Sequence, residues 1–399
     1  MLRYFFFLLP LLCVATANSQ PIFRWPMEGT LGKDFFVVNY VDHDSAVGLL
    51  RDHHCGVQTY DGHQGTDIAL PSFRQMDSGV TIVAAAPGRV FGVVDTAFDR
   101  NKVSVISRGF GNWIGIAHPG GIYSYYAHIR RGSATVNVGD SVQPGTPIAL
   151  VGSAGNSTDP HLHFEVWNDS ALIDPFAGPC NSTGSRWIAQ PEYDTTFGVI
   201  HHGLLGWVPT LDTLREYPPR PNAPFSPLAD TVITFWIHEY GVRAGDTSRI
   251  EWRRSTGELW YEWTFAHDAG YRYYYWWSYI ATPPAGDWHV RYFLNNRLAA
   301  SDSFSVQGLS SVAQPAAAGI SVRYNASSHR VAVQLPEAVG IPVRLQLFDV
   351  AGSHIGTANA ETDAAGVAQI ELGSWDIPHG LYALQVVAGG KQFGCIINY

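Results

Sequence analysis

An all-β protein is what this sequence predicts, and three observations carry the prediction. Between residues 57 and 176 short apolar and β-branched runs are punctuated by Gly, Pro and Asn, the pattern of strands joined by turns. Side chains alternate in several runs, as in His161-Leu162-His163-Phe164-Glu165-Val166 and Ile233-Thr234-Phe235-Trp236-Ile237, and in a strand alternate residues share a face. The 399 residues include 40 Gly, 24 Pro, 19 Tyr and 13 Trp, which leaves little room for long amphipathic helices. That length allows two or three domains.

Residues 1–17 read as a secretory signal peptide. Arg3 is its positive end, Tyr4 to Val14 its apolar run, and Ala15-Thr16-Ala17 its cleavage site. The run is too short to span a membrane and carries Pro10. Export through the periplasm is the expectation, to a secreted or outer-membrane-surface location. Hydrophobic residues at 46% support packed cores, and a formal net charge of -9 gives no basic face for nucleic acid.

The first expected domain is 18–180. Phe35 to Val41 reads as a strand, Pro71 to Gly79 as an exposed loop. The runs 80–86, 89–95, 102–107, 112–118, 122–128, 135–138, 147–151 and 161–167 make a compact, mainly antiparallel β unit. Residues 181–222, ending in Pro218-Pro219-Arg220-Pro221, read as a stiff linker. From 223 to 308 the spacing suggests an immunoglobulin-like β-sandwich. Its aromatic run Tyr271 to Tyr279 reads first as core, with a glycan-stacking platform as the alternative. A linker at 309–318 leads into a third β domain, 319–399, with strands at 331–333, 342–350, 368–370 and 381–387.

Within this framework three stretches carry chemistry. In Pro160-His161-Leu162-His163-Phe164-Glu165 the two imidazoles point to one face, about 7 Å apart. In Asp61-Gly62-His63-Gln64-Gly65-Thr66-Asp67, His63 and Asp67 are ligand types that, with a further His, make a zinc site open to water. Gly62 and Gly65 mark that stretch as bent and closely packed. The aromatic run Tyr123-Ser124-Tyr125-Tyr126-Ala127-His128 adds a third histidine-bearing segment. His43, His53 and His54 have no spacing that closes a metal site and read as loop residues; His201 and His202 read as surface.

These stretches, with Val83-Ala84-Ala85-Ala86-Pro87-Gly88, Val138-Gly139-Asp140, Gly152-Ser153-Ala154-Gly155-Asn156-Ser157 and Asp174-Pro175, resemble the lysostaphin-type zinc metallopeptidases that cut peptidoglycan peptides. The resemblance runs from about Val57 to Pro175. It implies one zinc ion per chain, with His63, Asp67 and His163 as ligands and His161 and His128 as the unligated catalytic pair. His161 would act as general base on the bound water, and His128 would steady the oxyanion or orient the water. Glu165, on the same face, is expected to orient an imidazole without binding metal. Tyr125 or Tyr126 are further candidates for the site.

In an oxidising compartment Cys55 and Cys180, at the two ends of the first domain, are expected to pair; two free buried thiols are the alternative. Cys13 would leave with the signal peptide and Cys395 is left over. Leu347-Phe348-Asp349-Val350-Ala351-Gly352 with Ile377 to Val386 resembles the C-terminal sorting domain of type IX secretion substrates, which implies that machinery as a partner. A plain β-sandwich module is the alternative. The functional expectation is a monomeric secreted zinc metalloendopeptidase acting on peptidoglycan stem peptides or cross-links. The competing readings are the same chemistry on secreted or host proteins, an inactive wall-binding scaffold, and an adhesin.

Overall fold

The computed structural model of the chain describes residues 21–218, 224–226, 230–307, 321–325, 328–335, 339–349, 353–373, 375, 377–378, 380–389 and 391–399. The expected signal peptide, the expected 309–318 linker and Pro219 to Pro221 lie outside the described residues, as does the side chain of Cys395. Nearly all of the regular structure is β, as composition and alternation predict.

The first module contains β1 (Phe36–Asn39), β2 (Thr66–Ala69), β3 (Thr81–Val83), β4 (Gly88–Val94) and β5 (Trp113–His118). It continues with β6 (Ile122–Ala127), β7 (Ser141–Val142), β8 (Pro147–Leu150), β9 (His161–Asn168) and β10 (Ala171–Ile173). One antiparallel sheet runs β1-β2-β9-β6-β5-β4-β7, with β10 folding back on β9 and β3 pairing with β8 apart from it. Alternation along β9 sorts its residues by chemistry. Leu162, Phe164 and Val166 are fully buried in one core with Ile68, Ile114, Ile116 and Tyr126. Each such side chain contributes roughly 1.5–3 kcal/mol through burial. That leaves His161, His163 and Glu165 together on the opposite face.

Three elements differ from expectation. Pro71 to Gly79 is not an exposed loop: it holds α1 (Phe73–Ser78), whose N-cap Ser72 accepts from the Gln75 N–H and whose Phe73 and Met76 are buried. A helix of six residues is too short to show a helical period in sequence. The run 102–107 forms no strand and ends in a 3-10 turn, Ile106–Arg108; 135–138 forms none either. Both runs are apolar by composition, but Val103, Ile106 and Val138 are exposed, so burial never selects the extended state.

Cys55 and Cys180 are joined by a disulfide across a sequence separation of 125. On a chain-entropy view a loop of that size is worth about 4–5 kcal/mol. The turn that carries Cys55 is held by the Asp52 carboxylate, which accepts N–H groups of His54, Gly56 and Gln58 and the Tyr193 hydroxyl.

The second module has β11 (Gly198–Leu205), β12 (Val232–Tyr240), β13 (Thr247–Arg254), β14 (Leu259–Ala266), β15 (Tyr274–Ala281), β16 (Gly286–Leu294) and β17 (Arg297–Val306). Sheets β11-β12-β15 and β14-β13-β16-β17 share one core that includes Phe235, Trp252, Trp276 and Trp288. The stretch expected as a linker is therefore largely structured where described. Trp187 belongs to the first core, β11 pairs with β12, and α2 (Leu211–Arg215) follows. Prolines at its end are a strong linker signal, while Val199 to Leu205 shows no alternation of burial that would mark a strand. A third core, with Val331, Leu345, Ile370 and Val386, lies between a three- and a four-stranded sheet after residue 321.

Candidate metal centre

The site grows out of strand register. Asp67 on β2 pairs with His163 on β9, Asn39 on β1 with Asp67, and Ala127 on β6 with His163. Those partners form one row across the sheet, and cross-strand neighbours on a face lie within side-chain reach. His63 enters from the turn before β2. Gly65 permits the close approach: a Cβ there would lie 2.7 Å from His163 Cε1 and 2.9 Å from the Phe164 carbonyl.

His63, Asp67 and His163 each offer a ligand atom within 4.8 Å of the others, and all three are buried. His63 Nε2 lies 3.2 Å from His163 Nδ1, Asp67 Oδ1 2.7 Å from His163 Nδ1 and Asp67 Oδ2 3.2 Å from His63 Nε2. The outer nitrogen of each imidazole is engaged elsewhere. His63 Nδ1 donates to the Tyr40 carbonyl at 2.6 Å and His163 Nε2 to Glu165 Oε1 at 2.8 Å. A carbonyl or carboxylate oxygen only accepts, so each engaged outer nitrogen carries a proton, and on His163 the inward nitrogen facing Asp67 holds a second one that a metal would replace. Metal-binding histidines are oriented in this way. Two imidazole nitrogens and a carboxylate suit zinc. Glu165 is itself fixed by the Trp167 indole N–H at 2.7 Å.

His161 and His128 stand beside this group. His161 Nε2 lies 3.6 Å from Asp67 Oδ1, and the two rings are 4.6 Å apart between centroids. His161 Nδ1 donates to the Asp159 carbonyl at 2.8 Å; His128 Nδ1 donates to the Ala154 carbonyl at 2.7 Å. Both therefore present Nε2 as an acceptor. His128 follows β6 with a φ of 62°, a left-handed conformation that is uncommon for a non-glycine residue. That turn swings it off the strand and into the site.

The electrostatics express the same mutual arrangement. Burial pushes the Asp67 pKa up, yet His63, His161 and His163 outweigh it and hold the carboxyl well below the usual range. Burial pushes His163 down, but its bonds to Asp67 and Glu165 raise it to about 9. His128 is held well below the ordinary imidazole value by burial and by the neighbouring His161 and His163.

All six residues singled out in the sequence for this site thus converge, counting Glu165. The tyrosines divide: Tyr125 pairs with Glu165, whereas Tyr126 lies in the core with its hydroxyl taking the Ala85 N–H. Tyr126 is not a site residue. His53 lies on a turn, as a loop histidine should, but is buried against Tyr40 and Phe176. Several participants escaped the sequence reading. Asn39 donates to Asp67 Oδ2 at 2.9 Å. The Tyr40, Asp159 and Ala154 contributions are backbone carbonyls, for which no side-chain pattern exists.

Residues 61–175 match the model of Peptidase family M23, which supports a domain of that kind in this part of the chain. Among individual proteins, the chain is 32% identical over 122 residues to the DD-carboxypeptidase/endopeptidase Mpg of Neisseria meningitidis, covering 31% of this chain and 24% of that one. It is 38% identical over 68 residues to the murein hydrolase activator EnvC of Escherichia coli, covering 17% and 16%. The chain spans about a quarter of the length of the first curated relatives it matches (25% and 24%). A solved structure, the catalytic domain of lysostaphin from Staphylococcus simulans, is 24% identical with a TM-score of 0.24, covering 34% of this chain and 85% of that one.

Proposed function

We propose that the first module is a zinc-dependent endopeptidase acting on peptidoglycan stem peptides or their cross-links. One observation carries the reading. Three buried donor atoms of His63, Asp67 and His163 converge, while the outer nitrogens of both imidazoles are taken by the Tyr40 carbonyl and Glu165. A bound zinc supplies Lewis-acid polarisation of the scissile carbonyl and lowers the pKa of an attacking water to about 7.

The chain's own groups do the rest. Asp67 places one negative charge among neutral imidazoles. His161, with its proton on the nitrogen facing the Asp159 carbonyl, accepts the water's proton at Nε2 and returns it to the leaving amine. His128, with Nδ1 on the Ala154 carbonyl, offers an acceptor at Nε2; of its two expected roles this favours orienting the water. Glu165 keeps the His163 ring from turning.

The relatives named as murein hydrolase activators motivate a second reading, a wall-binding regulator without turnover. A regulator has no need of a general base next to a complete donor set, which is why hydrolysis is favoured. The signal peptide and the C-terminal resemblance support export, with type IX machinery as the route within the same proposal.

The test is metal analysis of the purified chain together with mass determination of products from digested sacculi, beside a denatured protein substrate. Asp67→Ala should lose both zinc and turnover. His161→Ala should keep zinc and lose about 10²–10⁴ in turnover. Stoichiometric zinc with no cleavage of sacculi would reject the wall substrate, and metal loss in His161→Ala would reverse the assignment of the β9 histidines.

A further inference from the structure

The cleft in front of the histidines is not built by the first module alone. It encloses about 780 Å³, with Asp67, Ala69 and His161 among its lining, and Gly270 to Arg272 of the second module and Arg215 of α2 facing the same space. The 267–273 connection between β14 and β15 is pinned there. Tyr273 donates its hydroxyl to the Leu70 carbonyl at 2.5 Å, and Arg272 donates to the carbonyls of Val37 at 3.1 Å and Asp194 at 2.9 Å.

The charges lining this space are unequally spent. Asp67 is engaged by histidines. Asp159 faces Arg215 Nε at 3.0 Å, so that pair largely cancels. Asp61 accepts the Gly48 N–H and, being exposed, keeps its charge in solvent. Arg272 differs: its partners are carbonyls alone, and no carboxylate of the described residues lies within ion-pair distance of it. The carboxylate of nearby Asp194 is turned to Thr196. Two N–H groups, one on each terminal nitrogen, hold the guanidinium in place, its Nε–H is buried without a partner, and no carboxylate of the described residues pairs directly with its charge. A fixed planar guanidinium is the group best suited to a carboxylate, which it can bind through two parallel hydrogen bonds.

We propose that Arg272 is the specificity-determining residue of this groove and binds a free carboxylate of the peptide substrate, so that the second module selects what the first one cuts. This rests on the endopeptidase reading for its consequence, though not for its measurement. Stem peptides, with several free carboxyl groups, are the fitting class; a neutral or basic peptide would leave the charge unmatched in the groove.

The experiment is calorimetric binding of a stem tetrapeptide and of its carboxamide counterpart to the zinc-loaded full chain, with hydrolysis followed in the same samples. Wild type should bind the carboxylate form about tenfold more tightly, and Arg272→Gln should bind both forms equally. Arg272→Lys keeps the charge without the fork and should retain an intermediate preference of about threefold, which decides the matter if the Gln variant does not fold. Equal binding of both peptides by wild type overturns the proposal. So does a preference that survives undiminished in either variant, or an equal loss for both peptides in Arg272→Gln, as a merely structural role would give. Preference without hydrolysis would sink the endopeptidase reading and leave the subsite standing; hydrolysis without preference would do the reverse.

Discussion

Among the described residues, histidines pack against one another in each of the first two modules, and of these two groups only one has the makings of a metal centre. In the second module His201 on β11 pairs in register with His238 on β12, their ring centroids 6.2 Å apart. His238 is fully buried, stacked on Tyr275 at 3.8 Å and met edge-on by Tyr273 at 4.1 Å. Neither of its ring nitrogens makes a hydrogen bond of good geometry, the Pro71 carbonyl offering only a weak contact. In the first module His63 and His163 are as deeply buried, yet they share Asp67 and each has its outer nitrogen held by an oxygen. Burial and adjacency of imidazoles are common to both groups. Carboxylate and oriented tautomers belong to one.

The contrast appears in proton affinity. Burial holds His238 well below the ordinary imidazole value, with His201 adding to the effect, and burial takes His201 down to about 4. His163 moves the other way, to about 9, because Asp67 and Glu165 overcome its burial. A neutral ring wedged among tyrosines is packing material. A ring between two carboxylates is one that a cation can take over from a proton.

The largest effect expected from breaking this arrangement, beyond the loss of a ligand itself, comes from Glu165→Gln. The amide oxygen can still accept from His163 Nε2, but the negative charge that fixes and strengthens the ligand is gone. Zinc affinity should fall about 10–100-fold, read by competition with a chromogenic chelator, with the fold unchanged by circular dichroism. Unaltered affinity would remove Glu165 from the site's workings.

Most of this site was legible before any coordinates, and the reason is physical. Side chains on strands are spaced by an alternation that sequence displays directly: His161, His163 and Glu165 must share a face once Leu162 and Phe164 are committed to a core. His63 and Asp67 were readable because their residue types suit a metal and their spacing resembles that of a known peptidase family, while Gly62 and Gly65 marked the segment before Asp67 as bent. What stayed hidden was whatever depends on backbone atoms or on distant segments. The carbonyls of Tyr40 and Ala154 carry no signature, and Arg272 reaches the groove from a different module through hydrogen bonds to Val37 and Asp194. The fold was legible to a similar degree. Buried alternating strands stood out, whereas short α1 and the weakly patterned β11 did not.

A smaller effect follows from pH. Metal binding must displace the proton that His163 holds up to about pH 9 in the metal-free chain, so zinc affinity should rise steadily between about pH 6 and pH 9. The stability of the metal-free chain runs oppositely. A folded pKa raised above the unfolded value of about 6.5 contributes stability that is complete below pH 6.5 and is lost as pH rises through 9. Denaturant melts of chelated protein across that range, beside zinc titrations, should therefore slope in opposite directions. Parallel slopes would mean that His163 does not carry the proton that zinc replaces.

The smallest effect is expected at His238, and it completes the contrast. With a depressed pKa this residue is neutral in the fold and takes up a proton only on unfolding, so it destabilises the chain as pH falls below about 6.5. Its side chain has no polar partner of good geometry to lose, and replacing an unpartnered buried polar group by an apolar one of similar size is close to neutral or stabilising. His238→Leu should then change stability at pH 8 by no more than about 1 kcal/mol and leave zinc content untouched. It should also flatten the decline of stability between pH 6.5 and 5, measured by urea denaturation at each pH. A loss of several kcal/mol at pH 8, or a loss of zinc, would show that this histidine is engaged in something other than packing against Tyr273 and Tyr275, and the distinction between the two groups would fall with it.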